Sequence, residues 1–71
     1  MMTSLEPSFG ARLRALRLQR AMTQLELAER SGVSETTLVR LEANATAARP
    51  STVKKLARAL EVPVLALTRD G

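Results

Sequence analysis

The chain has 71 residues, with eleven Lys and Arg against seven Asp and Glu, which gives a formal net charge of +4. This length fits one small domain, and the basic balance permits an anionic partner without requiring one. Because the sequence contains neither Cys nor His, it excludes disulfides, the usual zinc sites and catalytic pairs built on His, and we expect no metal and no cofactor.

The N-terminal part of the sequence predicts one helix over residues 7–20. Its stripe recurs at steps of three and four, as one face of a helix does, and consists of Phe9, Leu13, Leu16 and Arg20. Pro7 suits the first turn. We expect residues 1–6 to be a flexible N-terminus. They lack the basic and apolar stretches of a signal peptide, and we therefore expect a cytoplasmic protein.

Two short helices follow, joined by a sharp corner. Thr23 and Glu26 have the spacing of a capping box, in which each side chain accepts a hydrogen bond from the other residue's backbone N–H. Gly32 is expected to end the second helix, because glycine adopts the left-handed backbone at low steric cost. Ser34 caps a third helix over residues 35–43. Only residues 32–34 separate the two helices, which is typical of a helix-turn-helix corner.

The C-terminal part predicts two more helices after a loop over residues 44–50. Ser51 is expected to cap a fourth helix over residues 52–60, and Pro63 to start a short fifth over residues 64–68. Residues 69–71 are predicted to be a flexible tail, so the domain covers residues 7–68. The fold class is all-α with five helices. No apolar run approaches the roughly 18 residues of a membrane span, and we expect no membrane partner.

The run from Thr23 to Ser34, followed by Leu38-Val39-Arg40-Leu41-Glu42, resembles the Cro/C1 phage-repressor family of helix-turn-helix proteins. The small Ala28, the corner Gly32 and the spaced leucines all agree with that family, and the resemblance extends over residues 9–68. It implies a five-helix lambda-repressor-like domain that binds double-stranded DNA as a transcriptional regulator, with repression as the expected mode. The third helix would enter the major groove.

The resemblance also implies which side chains face DNA: Gln24, Ser34, Glu35, Thr36, Thr37, Arg40, Arg49, Ser51, Thr52 and Lys54. Arg40 is the candidate for guanine, with phosphate as the alternative. Glu35 either accepts a hydrogen bond from cytosine or only favours the start of its helix, and we prefer the second. The basic residues from Arg49 to Arg58 have no acid among them, which is typical of phosphate contacts but equally of a solvated helix face.

Two further sets of residues are expected to be structural. Matching positions in the family form a partly buried ion pair, so we expect one between Arg17 and Glu42; the alternative is two exposed charges that never meet. Apolar side chains of the fifth helix and of the loop before it are expected to form the contact of a homodimer on a palindromic site, or else to complete the core of one chain. They are Val62, Val64, Leu65 and Leu67.

Other functions remain open at this point. An antitoxin of a toxin–antitoxin pair uses the same fold, although it usually carries an extra segment for its toxin. A protein-interaction module that has lost DNA binding is a second alternative, because Glu35 would repel phosphate. An unseen protein partner is compatible with either. We do not expect an enzyme, since no Gly-rich phosphate loop or paired acids can be identified.

Overall fold

The computed structural model describes residues 8–68. The expected flexible ends, residues 1–6 and 69–71, lie outside this range, as does Pro7. The described residues form five helices: α1 Phe9–Gln19, α2 Gln24–Ser31, α3 Glu35–Glu42, α4 Pro50–Leu60 and α5 Leu65–Thr68. They include no strand. The prediction of an all-α, five-helix domain is therefore confirmed.

Hydroxyl side chains cap the N-termini of three helices, α1, α2 and α3. Ser8 Oγ accepts a hydrogen bond from Ala11 N at 3.1 Å and so caps α1. At α2 both halves of the predicted capping box are present: Glu26 N donates to Thr23 Oγ1 at 3.0 Å, and Thr23 N donates to Glu26 Oε1 at 2.8 Å. Each such cap satisfies backbone N–H groups that have no partner within the helix.

The fourth helix begins differently from the prediction. Ser51 is not its cap, because the helix starts at Pro50 and Arg49 occupies the N-cap position. The physical reason is that the proline ring fixes φ near the helical value and lacks the N–H that the first helical position would leave unsatisfied. Ser51 is thus an exposed residue inside the first turn of α4.

Leucine side chains form the centre of the domain. Helix α3 packs on α1 and α2, α4 packs on α2, and α5 closes the structure against α1 and α4. The side chains with no exposed surface are Leu13, Leu27, Leu38, Leu56, Leu60 and Leu67. Burying each of them stabilises the fold by about 1.5–3 kcal/mol relative to leaving it in water.

The backbones of α1 and of the end of α3 approach each other closely at Gly10. A Cβ atom added to Gly10 would lie 2.5 Å from the carbonyl oxygen of Leu41 and 2.6 Å from that of Glu42. Asn44 links the same two elements by hydrogen bonds. Its Oδ1 accepts from Gly10 N at 3.0 Å, and its Nδ2 donates to Ser8 Oγ at 2.9 Å. The absence of a side chain at Gly10 therefore sets the distance between the two helices.

Within residues 8–68, none of the helices is both long enough and apolar enough to cross a lipid bilayer.

Candidate nucleic-acid interface

The corner between α2 and α3 fixes the direction of the third helix. Gly32 has φ of 79°, in the left-handed region, and its N–H donates to Ala28 O at 2.9 Å. Val33 then enters the core, and its N–H donates to Ser31 Oγ at 3.1 Å. Because both residues are held by hydrogen bonds or packing, α3 leaves the corner in one defined orientation.

Helix α3 has one face in the core and one in solvent. Leu38 and Leu41 are buried, whereas Glu35, Thr36 and Arg40 are exposed, as the sequence led us to expect. The exposed face also includes Val39, which the sequence analysis did not select because it considered only polar side chains there. At about 100° per residue along a helix, Val39 falls on the side opposite Leu41. That periodicity is the signal from which it could have been found.

Two of the expected DNA-facing hydroxyls bind each other. Ser34 Oγ accepts from Thr37 N at 3.1 Å and donates to Thr37 Oγ1 at 2.8 Å. This arrangement caps α3 and uses the proton of the Ser34 hydroxyl. Ser34 is exposed and Thr37 is half-buried, so both remain at the edge of the outward face.

An open groove of about 350 Å³ runs between α3 and the start of α4, and we call it the α3–α4 groove. It brings together four residues that the sequence analysis assigned to DNA, namely Thr37, Arg40, Arg49 and Thr52, and is completed by Leu41 and residues 46–48. Two guanidinium groups and two hydroxyls in one concave surface suit an anion such as phosphate. Ser51 and Lys54 are exposed on α4 but do not line the groove.

The first turn of α4 adds backbone donors to the same region. Arg49 makes no side-chain cap, and Pro50 has no N–H, so among the described residues no side chain satisfies the N–H groups of Ser51 and Thr52. The first backbone N–H groups of a helix carry partial positive charge and bind anions. The helix terminus and the two arginines of the groove therefore favour the same kind of ligand.

Behind the interface, a polar cluster joins the first three helices. Arg17 donates to Glu42 twice, from Nε to Oε2 at 2.7 Å and from Nη2 to Oε1 at 2.9 Å, and its Nη1 donates to Met22 O at 2.9 Å. The ion pair expected between Arg17 and Glu42 is thus present. Their side chains are 9% and 5% exposed. Within residues 8–68 every buried side-chain nitrogen and oxygen has a hydrogen-bond partner.

The hydrogen bond from Arg17 to Glu42 raises the pKa of the guanidinium, burial lowers it, and the charge of the carboxylate raises it again, with a net rise above the usual value. A group whose pKa is raised by folding contributes its stability fully below the unfolded-state pKa and loses it only as the pH passes the folded-state value. Arg17 therefore keeps its charge across the whole range in which a protein is normally studied.

Gln24, expected to face DNA, makes a contact within the chain that the sequence analysis did not anticipate. Its Nε2 donates to Glu42 Oε1 at 3.1 Å, so the side-chain amide ties α2 to α3. Gln24 is half-buried, and this bond uses one of its two amide protons, so the rest of the amide stays available for a contact with DNA. The signal that would have revealed this position is the partner Glu42, which the sequence analysis assigned to Arg17 alone.

The four apolar residues expected at a dimer contact do not share one environment. Val64 and Leu65 are exposed, with Leu65 69% exposed, and Val62 is half-buried. Leu67 has no exposed surface, because it packs among the core leucines of its own chain. The expectation that Leu67 reaches a partner is therefore wrong for this residue.

A short capped helix held outward behind a glycine corner, beside a groove with two arginines, defines a helix-turn-helix domain. The family model described as "Helix-turn-helix" matches residues 13–67. The chain therefore belongs to the helix-turn-helix family, of the Cro/C1 type that the sequence resembles.

Regulatory proteins and a solved structure resemble the chain over most of its length. It is 47% identical over 57 residues to the HTH-type transcriptional repressor RghR of Bacillus subtilis (strain 168), and 43% identical over 56 residues to the uncharacterized HTH-type transcriptional regulator RghRB of the same organism. These matches cover 79% and 78% of this chain, which spans only 42% and 40% of the two relatives. The crystal structure of the restriction-modification controller protein C.AhdI from Aeromonas hydrophila superposes with a TM-score of 0.81, at 32% identity, covering 83% of this chain and 89% of that one.

Proposed function

We propose that the chain binds double-stranded DNA sequence-specifically and regulates transcription, as a repressor, with α3 in the major groove. The observation that carries the proposal is the outward face of α3 next to the α3–α4 groove. The major groove of B-DNA is wide enough to admit an α-helix, so this face has the size needed to enter it. Relatives named as a transcriptional repressor and a transcriptional regulator support the same function. Such a protein acts where the DNA is, which in a bacterium is the cytoplasm.

Binding has two layers in this proposal. Arg49, Thr52 and the first turn of α4 hold phosphates, with Ser51 and Lys54 further along the same helix. These contacts set the register of the domain on DNA without reading sequence. Arg40, one helical turn beyond Thr36 on the exposed face of α3, reaches base edges, and guanine offers its guanidinium two acceptors side by side. Glu35 lies in the first turn of α3, where its charge favours the helix N-terminus.

A homodimer on a palindromic site completes the proposal. One domain of this size buries little surface on DNA, so two copies are needed for strong, specific binding. The exposed Val64 and Leu65, with the half-buried Val62 beside them, supply an apolar surface near the end of the domain. Two copies related by a two-fold axis would read half-sites about one DNA turn apart. A repressor of this kind acts by occupying a site that polymerase needs.

The test begins with selection of bound duplexes from a random pool, which returns the half-site and its symmetry. Binding is then measured for Arg40→Ala and Lys54→Ala at several salt concentrations. Arg40→Ala should cost about 1–3 kcal/mol at one base pair and relax the preference there. Lys54→Ala should weaken binding to all sequences alike and reduce the slope of log K against log[salt] by about 1.

Arg14→Ala is the matched control, because it removes one positive charge from the exposed side of α1, away from the α3–α4 groove. It should leave sequence preference unchanged. If the selected pool shows no consensus, the proposal of sequence-specific binding fails. If Arg40→Ala weakens all sequences equally, Arg40 contacts phosphate and not a base.

A further inference from the structure

The outward face of α3 contains one apolar side chain that the core does not need. Val39 is 44% exposed, between Thr36 one turn earlier and Arg40 next to it. Leu38 and Leu41 already fill the side of α3 that faces the core. An isolated exposed valine is common on protein surfaces and requires no explanation by itself. Val39, however, stands on the surface that the proposed function brings against base edges.

At the edge of this face the Ser34 hydroxyl is engaged within the chain. The Ser34 hydroxyl proton is used by Thr37, and the Ser34 oxygen accepts the backbone N–H of Thr37. The residues of α3 that are exposed are Glu35, Thr36, Val39 and Arg40. Among them Val39 has no polar atom in its side chain, so it cannot read a donor or an acceptor.

The major groove offers one apolar group, the C5-methyl of thymine. We propose that Val39 is a specificity-determining residue that contacts this methyl group at a base pair next to the one read by Arg40. Because a β-branched side chain in a helix has one strongly preferred χ1 rotamer, the two methyl groups of Val39 are held in place before binding. The inference rests on the proposed function, since it needs α3 in the major groove.

Deoxyuridine tests the contact directly, because it differs from thymidine only by the missing methyl group. Each thymine of the selected half-site is replaced in turn, and binding is measured for the wild type, Val39→Ala and Leu25→Ala. Leu25 is the matched control, an apolar residue of α2 that is 50% exposed. Alanine favours the helix at both positions, so neither variant should unfold.

At one thymine in each half-site, removing the methyl group should weaken wild-type binding about fourfold, which corresponds to about 0.8 kcal/mol. Val39→Ala should lose this penalty and bind the thymine and deoxyuridine duplexes equally. Leu25→Ala should keep the full penalty. A thermal melt of each variant without DNA checks that the domain is folded.

Three results would overturn the inference while leaving the proposed function intact: a half-site without thymine, a wild type that ignores every methyl group, or a methyl penalty that Val39→Ala retains in full. A wild type that binds no duplex with any sequence preference would remove the proposed function, and the role of Val39 with it.

Discussion

Arg17 shows how one side chain can hold the reading helix in position without approaching DNA. Its guanidinium makes two hydrogen bonds to Glu42 at the end of α3 and a third to the backbone of Met22 before α2. Gln24 approaches the same carboxylate from the start of α2. Three helices therefore meet at one carboxylate, and the orientation of α3 depends on it.

Replacing Arg17 with Met should lower the free energy of unfolding by about 3–5 kcal/mol, because the buried carboxylate of Glu42 loses its counter-charge. The measurement is urea unfolding at neutral pH. Arg14→Met, the same change on the exposed side of α1, should alter stability by less than about 0.5 kcal/mol.

The double variant Arg17→Met with Glu42→Leu separates the charge effect from packing. It should recover most of the loss, since two apolar side chains leave no unpaired charge. Equal stability of the single and double variants would show that Arg17 acts through its volume and not through its charge.

At this scale the sequence predicted some contacts and missed others for a physical reason. The Arg17–Glu42 pair followed from the family resemblance, because matching positions in the family form an ion pair. The bond from Gln24 to Glu42 and the close approach at Gly10 depend on how far apart the helices settle. That distance is a property of the packed core and is not encoded in any local pattern.

Gly10 illustrates the point and can be tested in the same way. A methyl group at this position would meet two backbone carbonyl oxygens, which cannot rotate away as a side chain can. Gly10→Ala should therefore destabilise the domain by about 1–3 kcal/mol, the range for inserting atoms into a filled site, despite the better helix propensity of alanine. Ala11→Ser, at the exposed neighbouring position, is the control. A Gly10→Ala variant as stable as the wild type would mean that α1 and α3 can separate freely.

Among the elements, the boundaries marked by a capping hydroxyl or by a glycine were the most predictable. Thr23, Ser34 and Gly32 are local signals with local effects, and each acts in the structure as expected. Ser51 was misassigned because Pro50, one residue earlier, starts the helix without needing a capping side chain. The ends of α1 and α4 had no glycine to mark them, yet Ala21 and Glu61 adopt φ of 57° and 59°.

A left-handed alanine is strained, which gives a prediction at Ala21. Left-handed backbone costs a residue with a Cβ about 1 kcal/mol, and glycine avoids that cost. Ala21→Gly should therefore raise the free energy of unfolding by about 0.5 kcal/mol, after the greater freedom of glycine in the unfolded chain is subtracted. The reverse exchange at the other corner, Gly32→Ala, should lower it by about 1 kcal/mol, because its φ of 79° is the same kind of backbone. Thermal melts of the two variants measure both changes in stability, which are expected to differ in size as well as in sign. A loss of stability in Ala21→Gly would contradict the strain argument.

For the molecule as a whole, the sequence left two roles open for the apolar residues at the fifth helix. They could form a dimer surface or complete the core of their own chain. The structure divides the four residues. Leu67 belongs to the core, whereas Val64 and Leu65 do not. Periodicity could not separate them, because a helix as short as Leu65–Thr68 makes barely one turn and has no clear inner stripe.

The proposed dimer predicts that Leu65→Gln weakens association without unfolding the domain. Leu65 is 69% exposed in one chain, so the monomer loses little by the change. A two-fold interface contains the residue twice, and burying a leucine is worth about 1.5–3 kcal/mol, so the dimer dissociation constant should rise at least about tenfold. Sedimentation equilibrium measures this constant. Leu25→Gln, on α2 and not on α5, should leave it unchanged.

The neutral glutamine also keeps the net charge, so weaker binding of Leu65→Gln to the palindromic duplex, with unchanged binding to a single half-site, would follow from association alone. A wild type that remains monomeric both free and on the palindrome would contradict the dimer and leave each domain to bind its half-site independently.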